Sequence, residues 1–344
     1  MNEHPPIAVA LLNWNGWRDT IECLDTLARV RYPALDFYLC DNASTDDSVD
    51  RILAWAETAG WRPRVVRHEG DTFESRAFAR EGPTKLTVIR NDSNAGFARG
   101  TNIAMRYALA SGRDYLALWA LNTDTLVDPD AVAPAVAALL ADPRAASVQS
   151  LLLGCPNDAV LDSAGIRLLR RGGAKDLLRG ENPAVLAASG RREPTLMFGS
   201  CAASAFYRTT ALQEVGLFDE ALFQTNEDVD LACRLHAAGY HALLVSGSVV
   251  RHKGGVSRRR KQGRLWFIAN RAKLRVVARW WPRALAVPAL ASGAVRAFLV
   301  MARSGDVSAS AWVALVRELW QDYRRGASRA VRRSIMAAGS RGFL

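Results

Sequence analysis

The chain has 344 residues, of which 49% are hydrophobic and 23% charged, enough to bury a sizeable core in one large domain with an appendage. This balance excludes a disordered or fibrous polymer. The formal charge of +11 is unevenly placed: residues 251–344 hold 21 Lys and Arg against 3 acids, a net +18 that leaves the first 250 residues at −7.

A basic tail can meet anionic lipid or nucleic acid, and Trp280, Trp281, Leu285, Val287, Leu290, Val295, Phe298, Leu299, Val300 and Met301 favour lipid. The five cysteines, Cys23, Cys40, Cys155, Cys201 and Cys233, include no Cys-x-x-Cys pair and cannot close a full disulfide framework, so a reducing compartment is expected. The N-terminus lacks a basic region, and its first apolar run is only about six residues long, too short for a signal peptide. The main domain is therefore expected in the cytoplasm.

Residues 7–12 are an apolar run ending in Asn13-Trp14-Asn15-Gly16, followed by a helical pattern at Ile21, Leu24 and Leu27. Residues 37–40 form the next strand and end at Asp41-Asn42-Ala43-Ser44. Ser44 with Asp47 has capping-box spacing before a helix through Val49, Ile52 and Leu53. Residues 62–84, rich in Arg, Glu and Gly, read as a surface insertion. A third strand at 86–89 leads to Asn94-Ala95-Gly96-Phe97 and a helix through Ile103, Met105, Tyr107 and Leu109. Residues 115–121 are a buried strand reaching Asn122-Thr123-Asp124. Four strand-helix units predict a doubly wound, mostly parallel α/β sheet, which binds ligands at the carboxyl ends of its strands.

Residues 154–195, with several Gly and Arg-Arg pairs, read as a variable stretch that packs over the ligand-binding edge of the sheet. Gly199-Ser200-Cys201-Ala202 and Phe223 then precede Glu227-Asp228-Val229-Asp230, where Leu231, Ala232 and Leu235 share a helix face and Gly239 is a C-cap. Thr225 and Asp228 form a second capping-box pattern. Residues 241–245 are a further strand before Arg251-His252-Lys253-Gly254-Gly255. The apolar stretch 284–301 approaches the length of a membrane span but is broken by Pro288 and Arg296. An interfacial helix is expected, with a soluble helical pair and a true span as alternatives.

On residue type alone, Asp41 fits an Asx turn as well as a nucleobase contact, Asn94 and Gly96 fit a plain turn, and His252 fits a structural role. Their order and spacing narrow the choice. Over roughly residues 7–271 the set resembles the inverting glycosyltransferases of family 2, which have the GT-A fold. The resemblance implies a nucleotide-sugar site at Asn13, Asp41, Asn94, Gly96, Asn122 and Asp124. Asn122-Thr123-Asp124 stands in the place of Asp-x-Asp, so Asp124 and His252 are the implied ligands of Mn²⁺ or Mg²⁺. Asp228 is the implied general base, with Glu227 positioning hydroxyls. Asn270-Arg271 resembles an aromatic-rich segment of the family that ends in Arg-Asn, but in reversed order and with Trp266 and Phe267 in place of tyrosines, so no site role is assigned to Arg271.

The implied architecture is a GT-A domain over residues 1–262, with a nucleotide-sugar half (1–130) and an acceptor half (131–262), then a basic amphipathic helical tail over 263–344. The implied partners are a dTDP- or UDP-linked sugar, a saccharide or lipid-linked glycan acceptor and the cytoplasmic face of an inner membrane, with no nucleic acid. Asp-Asn-Ala-Ser and Asn-Thr-Asp most resemble rhamnosyltransferases of surface polysaccharide synthesis. Two rivals make different demands. A nucleotidyltransferase needs a glycine-rich, basic N-terminal loop for a triphosphate, and a nucleic-acid-binding protein predicts salt-sensitive binding to any duplex.

Overall fold

The computed structural model of the chain describes residues 4–69, 85–190, 193–254, 264–304 and 308–340. Its first half runs β1 (Ile7–Asn13), α1 (Trp17–Leu27), β2 (Leu35–Asp41), α2 (Ser48–Thr58), β3 (Pro63–His68), β4 (Leu86–Asn91), α3 (Gly96–Ala110), β5 (Ala117–Asn122). These strands pair in parallel in the order β5-β1-β2-β4-β3, as the strand-helix alternation predicts. β1 is covered on both faces. Ile7, Val9 and Leu11 join Leu24 and Ile52 in one core, while Ala8 and Ala10 join Ile103 and Tyr107 in the other. Small residues on the second face let α3 lie close: a Cβ on Gly100 would come within 2.4 Å of Leu12 Cδ1.

The chain continues through β6 (Thr125–Val127), α4 (Val132–Ala141), β7 (Ala145–Gly154), β8 (Leu161–Ser163), β9 (Ile166–Leu168), β10 (Ala174–Asp176), α5 (Ala184–Ala188), β11 (Thr195–Met197), β12 (Ser204–Arg208), α6 (Thr209–Val215), α7 (Glu227–Ala237) and β13 (His241–His252). β12 enters antiparallel between β5 and β7. Trp119 of β5 stacks on Phe206 of β12 with ring centroids 4.4 Å apart; such a pair contributes about 1 kcal/mol beyond its burial. β13 runs parallel to β7 and pairs antiparallel with β6 at its end, which completes an eleven-stranded sheet among the described residues.

Several local expectations change. The insertion expected at 62–84 begins with β3, an edge strand whose alternation of exposed Arg67 with buried Val66 and His68 was hidden by its charge; residues 70–84 lie outside the described residues. The strand expected at 241–245 runs on to His252 through an irregularity between Val245 and Val249; Gly255 of its terminal motif lies outside the described residues. Neither capping box forms, because α2 and α7 begin at Asp47 and Asn226 with no side-chain cap. Gly239 does end α7, at φ 89°: its N–H donates to His236 O and that of Tyr240 to Leu235 O, a Schellman pair.

The tail is four helices, α8 (Arg264–Trp280), α9 (Arg283–Ser304), α10 (Ala309–Arg325) and α11 (Arg329–Ser340). Val277 of α8, Trp281 just beyond its end and Ile335 of α11 pack with Val229 and Cys233 of α7. Arginines at four-residue spacing staple the layers: Arg271 donates to both Glu318 oxygens at 2.7 Å, and Arg275 and Arg279 donate to Asp322 at 2.7 and 2.8 Å. Arg271 and Arg275 also donate to Ala221 O, and Arg279 pairs with Asp219. Arg271 is thus part of the staple. In α9, residues 283–300 have mean hydropathy 1.4, are long and apolar enough to cross a membrane by length and composition, and are 17% buried. Val287, Val295, Phe298 and Leu299 are exposed.

Candidate active site

The carboxyl ends of β1 and β2 lie side by side, with Asn13 opposite Asp41 in register. Both side chains are buried. Asn13 Nδ2 donates to Asp41 Oδ1 at 2.7 Å, and Ser44 donates to Asp41 through its hydroxyl at 2.6 Å and its N–H at 3.1 Å. Ser44 therefore serves Asp41 instead of capping α2. Two neighbours are left-handed, Asn15 at φ 50° and Ala43 at φ 58°, a strain on the order of 1 kcal/mol each that such sites retain when the surroundings fix it.

Asn42, which sequence reasoning passed over, ties this loop to the next. Its Oδ1 accepts from Asn91 Nδ2 at 3.2 Å and Ala95 N–H at 2.9 Å; its Nδ2 donates to Asn94 Oδ1 at 3.1 Å and Gly96 O at 3.2 Å. Gly96 has φ 79°, and a Cβ there would lie 2.5 Å from Phe223 O. The space that glycine opens on that side is taken by Phe223, in the segment leading to α7.

At the end of β5, Asp124 Oδ1 lies 3.1 Å from His252 Nε2, and Asp162 Oδ2 lies 2.8 Å from His252 Nδ1. Antiparallel pairing creates this contact by setting His252 opposite Thr125. Burial pulls the His252 pKa down, but hydrogen bonds and charge from Asp124 and Asp162 outweigh it and lift the imidazole to about 9. Burial raises Asp124, and the His252 contact overcomes this to leave it below the usual carboxylate range. Lys253 braces the corner: its N–H donates to Asp124 O at 2.9 Å, and its Nζ donates to Asp19 and Glu22 at 2.5 Å each.

These groups suit a divalent cation. Asp162 on Nδ1 fixes the tautomer that leaves Nε2 as a ligand beside a carboxylate, and Asn122 Oδ1 is a buried acceptor with no hydrogen-bond partner among the described residues. Among the described residues no cluster of three or more His, Cys, Asp or Glu surrounds one position. A metal held here would take its remaining ligands from water and substrate oxygens, as nucleotide-bound Mg²⁺ and Mn²⁺ do.

The third corner is the start of α7. Asp228 Oδ1 accepts from Val229 N–H at 2.8 Å and Oδ2 from Ala202 N–H at 3.3 Å. Glu227 is 5% exposed, and its Oε2 is buried without a hydrogen-bond partner among the described residues. Burial raises the pKa of both carboxyls, helped at Glu227 by the charge of Asp228 and at Asp228 by that of Asp176. Left-handed Phe223, Thr225 and Asn226 shape the approach to this helix. The segment before it joins the corners: Ala203 O accepts from Asn122 N–H at 3.0 Å, while Ala202 N–H serves Asp228. Gly199 is there for packing, since its Cβ would meet that of Ala232 at 2.5 Å.

Asp162, Asp176 and Arg179 were not singled out in the sequence. Arg179 donates to Asp162 Oδ1 at 2.7 Å and lies 3.2 Å from Asp176. The expectation that residues 154–195 border the site thus acquires named groups.

The family model for glycosyl transferase family group 2 matches residues 119–319, more than half of the chain. The chain belongs to that family. This glycosyltransferase has the GT-A fold, shared with GalNAc-T7 solved with UDP, GalNAc and Mn²⁺, at 16% identity and TM-score 0.58 over 82% of this chain. The match spans 49% of the GalNAc-T7 chain, about half its length. TarS 1-349 from S. aureus, solved with UDP, is similar at 14% identity and TM-score 0.51, covering 97% of this chain and 88% of that one. The mannosyltransferase PcManGT from Pyrobaculum calidifontis, with GDP-Man and Mn²⁺, is 18% identical at TM-score 0.50, covering 97% and 86%. No curated protein matches the sequence of the glycosyltransferase.

Proposed function

We propose that the glycosyltransferase moves one sugar, with inversion, from a dTDP- or UDP-linked donor to a saccharide or lipid-linked glycan acceptor. Rhamnose is the donor sugar best matched by Asp41-Asn42-Ala43-Ser44 and Asn122-Thr123-Asp124. The observation that carries this reading is the Ala202–Ala203 segment, hydrogen-bonded both to the Asn122 end of β5 and to the Asp228 carboxylate. It holds a carboxylate with a raised pKa beside the candidate metal corner.

In this reading Asn13 and Asp41 hold the nucleoside, with Asn94 and Gly96 shaping the adjoining loop. Asp124 and His252 would hold Mn²⁺ or Mg²⁺, which would supply positive charge against the departing diphosphate. Asp228 takes the proton of the acceptor hydroxyl as its oxygen bonds to the anomeric carbon and the bond to the diphosphate oxygen breaks. Glu227 orients hydroxyls. The tail, packed through α8, turns the exposed apolar and basic face of α9 and α10 toward an anionic membrane on the cytoplasmic side.

Turnover of dTDP-rhamnose and UDP-sugars to free nucleotide, followed by ³¹P NMR with Mn²⁺ and with EDTA, tests the reading. Metal-dependent release of dTDP or UDP that Asp228→Asn removes supports it. Release that survives EDTA or Asp228→Asn contradicts it.

A further inference from the structure

Where α8, α9, α10 and α11 meet, a cavity of about 530 Å³ is lined by Arg283, Gly326, Ser328, Arg329, Arg332 and Arg333. Four of these residues are cationic, and among the described residues none forms an ion pair with a carboxylate. Arg332 is the deepest, at 2% exposure. Its guanidinium donates to the carbonyls of Ala327, Ala278, Trp281 and Tyr323, at 2.6, 2.9, 2.7 and 3.3 Å, which satisfies four N–H groups and neutralises no charge. Burial and the nearby Arg283 both pull its pKa down. A buried cation beside a like charge is costly unless an anion joins it.

The surroundings suit a tetrahedral oxyanion. Arg283 and Ser328 stand at the starts of α9 and α11, helices of 22 and 12 residues whose first N–H groups lack intrahelical partners. Arg283 lies over the Tyr323 ring at 5.1 Å, which restrains it at the cavity. Gly326 is needed for closeness: a Cβ there would come within 2.3 Å of Arg332 Nη2 and 2.5 Å of Arg279 O. Arg329 and Arg333 are exposed at the rim, free to close on an anion in bidentate fashion.

We propose that this cavity binds a phosphate group. The group is a free phosphate ester or the headgroup phosphate of an anionic lipid, and the site is separate from the transfer chemistry at Asp228 and from general attraction of the basic tail to a membrane.

The test uses the full chain and the double variant Arg329→Ala/Arg333→Ala, whose exposed positions spare the anchor Arg332. Arg303→Ala/Arg317→Ala is the charge-matched control away from the cavity. Inorganic phosphate is titrated by thermal shift, and co-sedimentation is measured with phosphatidylcholine vesicles with and without phosphatidic acid. The expected result is phosphate stabilisation in the wild type and the control pair that is lost in the cavity pair. If vesicle binding also falls at least about tenfold further in the cavity pair than in the control, the source is lipid; if the two pairs match on vesicles, the source is soluble. Equal behaviour of both pairs in both assays, or no phosphate response in the wild type, overturns the proposal.

Discussion

Asp124 and His252 are 128 residues apart in the chain, yet their Oδ1 and Nε2 atoms meet at 3.1 Å because β6 and β13 pair with His252 opposite Thr125. Asp162 fixes the far side of the imidazole at 2.8 Å. Removing His252 while keeping its neighbours should weaken metal binding more than folding. His252→Ala is expected to lower Mn²⁺ affinity by about 10- to 100-fold, measured by Mn²⁺ EPR titration with UDP present. Unchanged affinity would remove His252 from the ligand set.

The same contact gives the metal-free protein a pH signature. The folded-state pKa of His252 is raised to about 9, so its contribution to stability is full below the unfolded value near 6.5 and is lost as pH rises through about 9. The loss should be on the order of 3 kcal/mol. Urea unfolding in EDTA at pH 6 to 10 measures it, and His252→Gln should flatten that dependence.

Asp228→Asn is expected to reduce kcat by at least about 100-fold while nucleotide binding, read by calorimetry, is kept. Because burial and then Asp176 raise the Asp228 pKa, the acid limb of kcat/KM should lie above the ordinary aspartate range, with activity lost as pH falls through it. Asp176→Asn should move that limb to lower pH. An unmoved limb would separate Asp176 from the base.

Gly96→Ala sets a Cβ against Phe223 O at a φ of 79°. A destabilisation of about 2–4 kcal/mol is expected in urea, together with weaker nucleotide binding, because the 223–226 segment that precedes Asp228 must shift. A neutral result would show that the segment yields without cost.

Asp230 is buried, accepting from Trp280 Nε1 and Arg234 Nε at 2.8 Å each, with Arg279 Nη1 at 3.5 Å. Asp230→Ala leaves the Trp280 Nε1–H without its acceptor and Arg234 without a carboxylate, while Arg279 keeps Asp219 and Asp322, and should cost about 3 kcal/mol. Unfolding followed separately by tail and sheet fluorescence should lose both together, since α8 is anchored to α7 through this residue.

The sheet was legible where strands are apolar on both faces and end in polar motifs, as at Asn13, Asp41 and Asn122. β3 was not, because an edge strand carrying Arg64 and Arg67 looks like surface loop. The end of β13 was hidden by Ser246-Gly247-Ser248, which interrupts its alternation. Motif order brought Asp124, His252 and Asp228 into view, but Asp162 and Asn42 act through contacts with no local pattern. The two capping boxes misled for a related reason: loops carrying left-handed Ala43 and Asn226 turn Ser44 and Asp228 toward other donors and acceptors.

The most direct test of the proposed site is thermal stabilisation by UDP, dTDP, GDP, CMP and ADP, each with Mn²⁺ and with EDTA, in wild type and Asp124→Ala. A ligand selective for the folded protein raises its stability. Stabilisation by dTDP or UDP that needs both Mn²⁺ and Asp124 is the predicted result. Equal stabilisation with EDTA, or an undiminished response in Asp124→Ala, would contradict it.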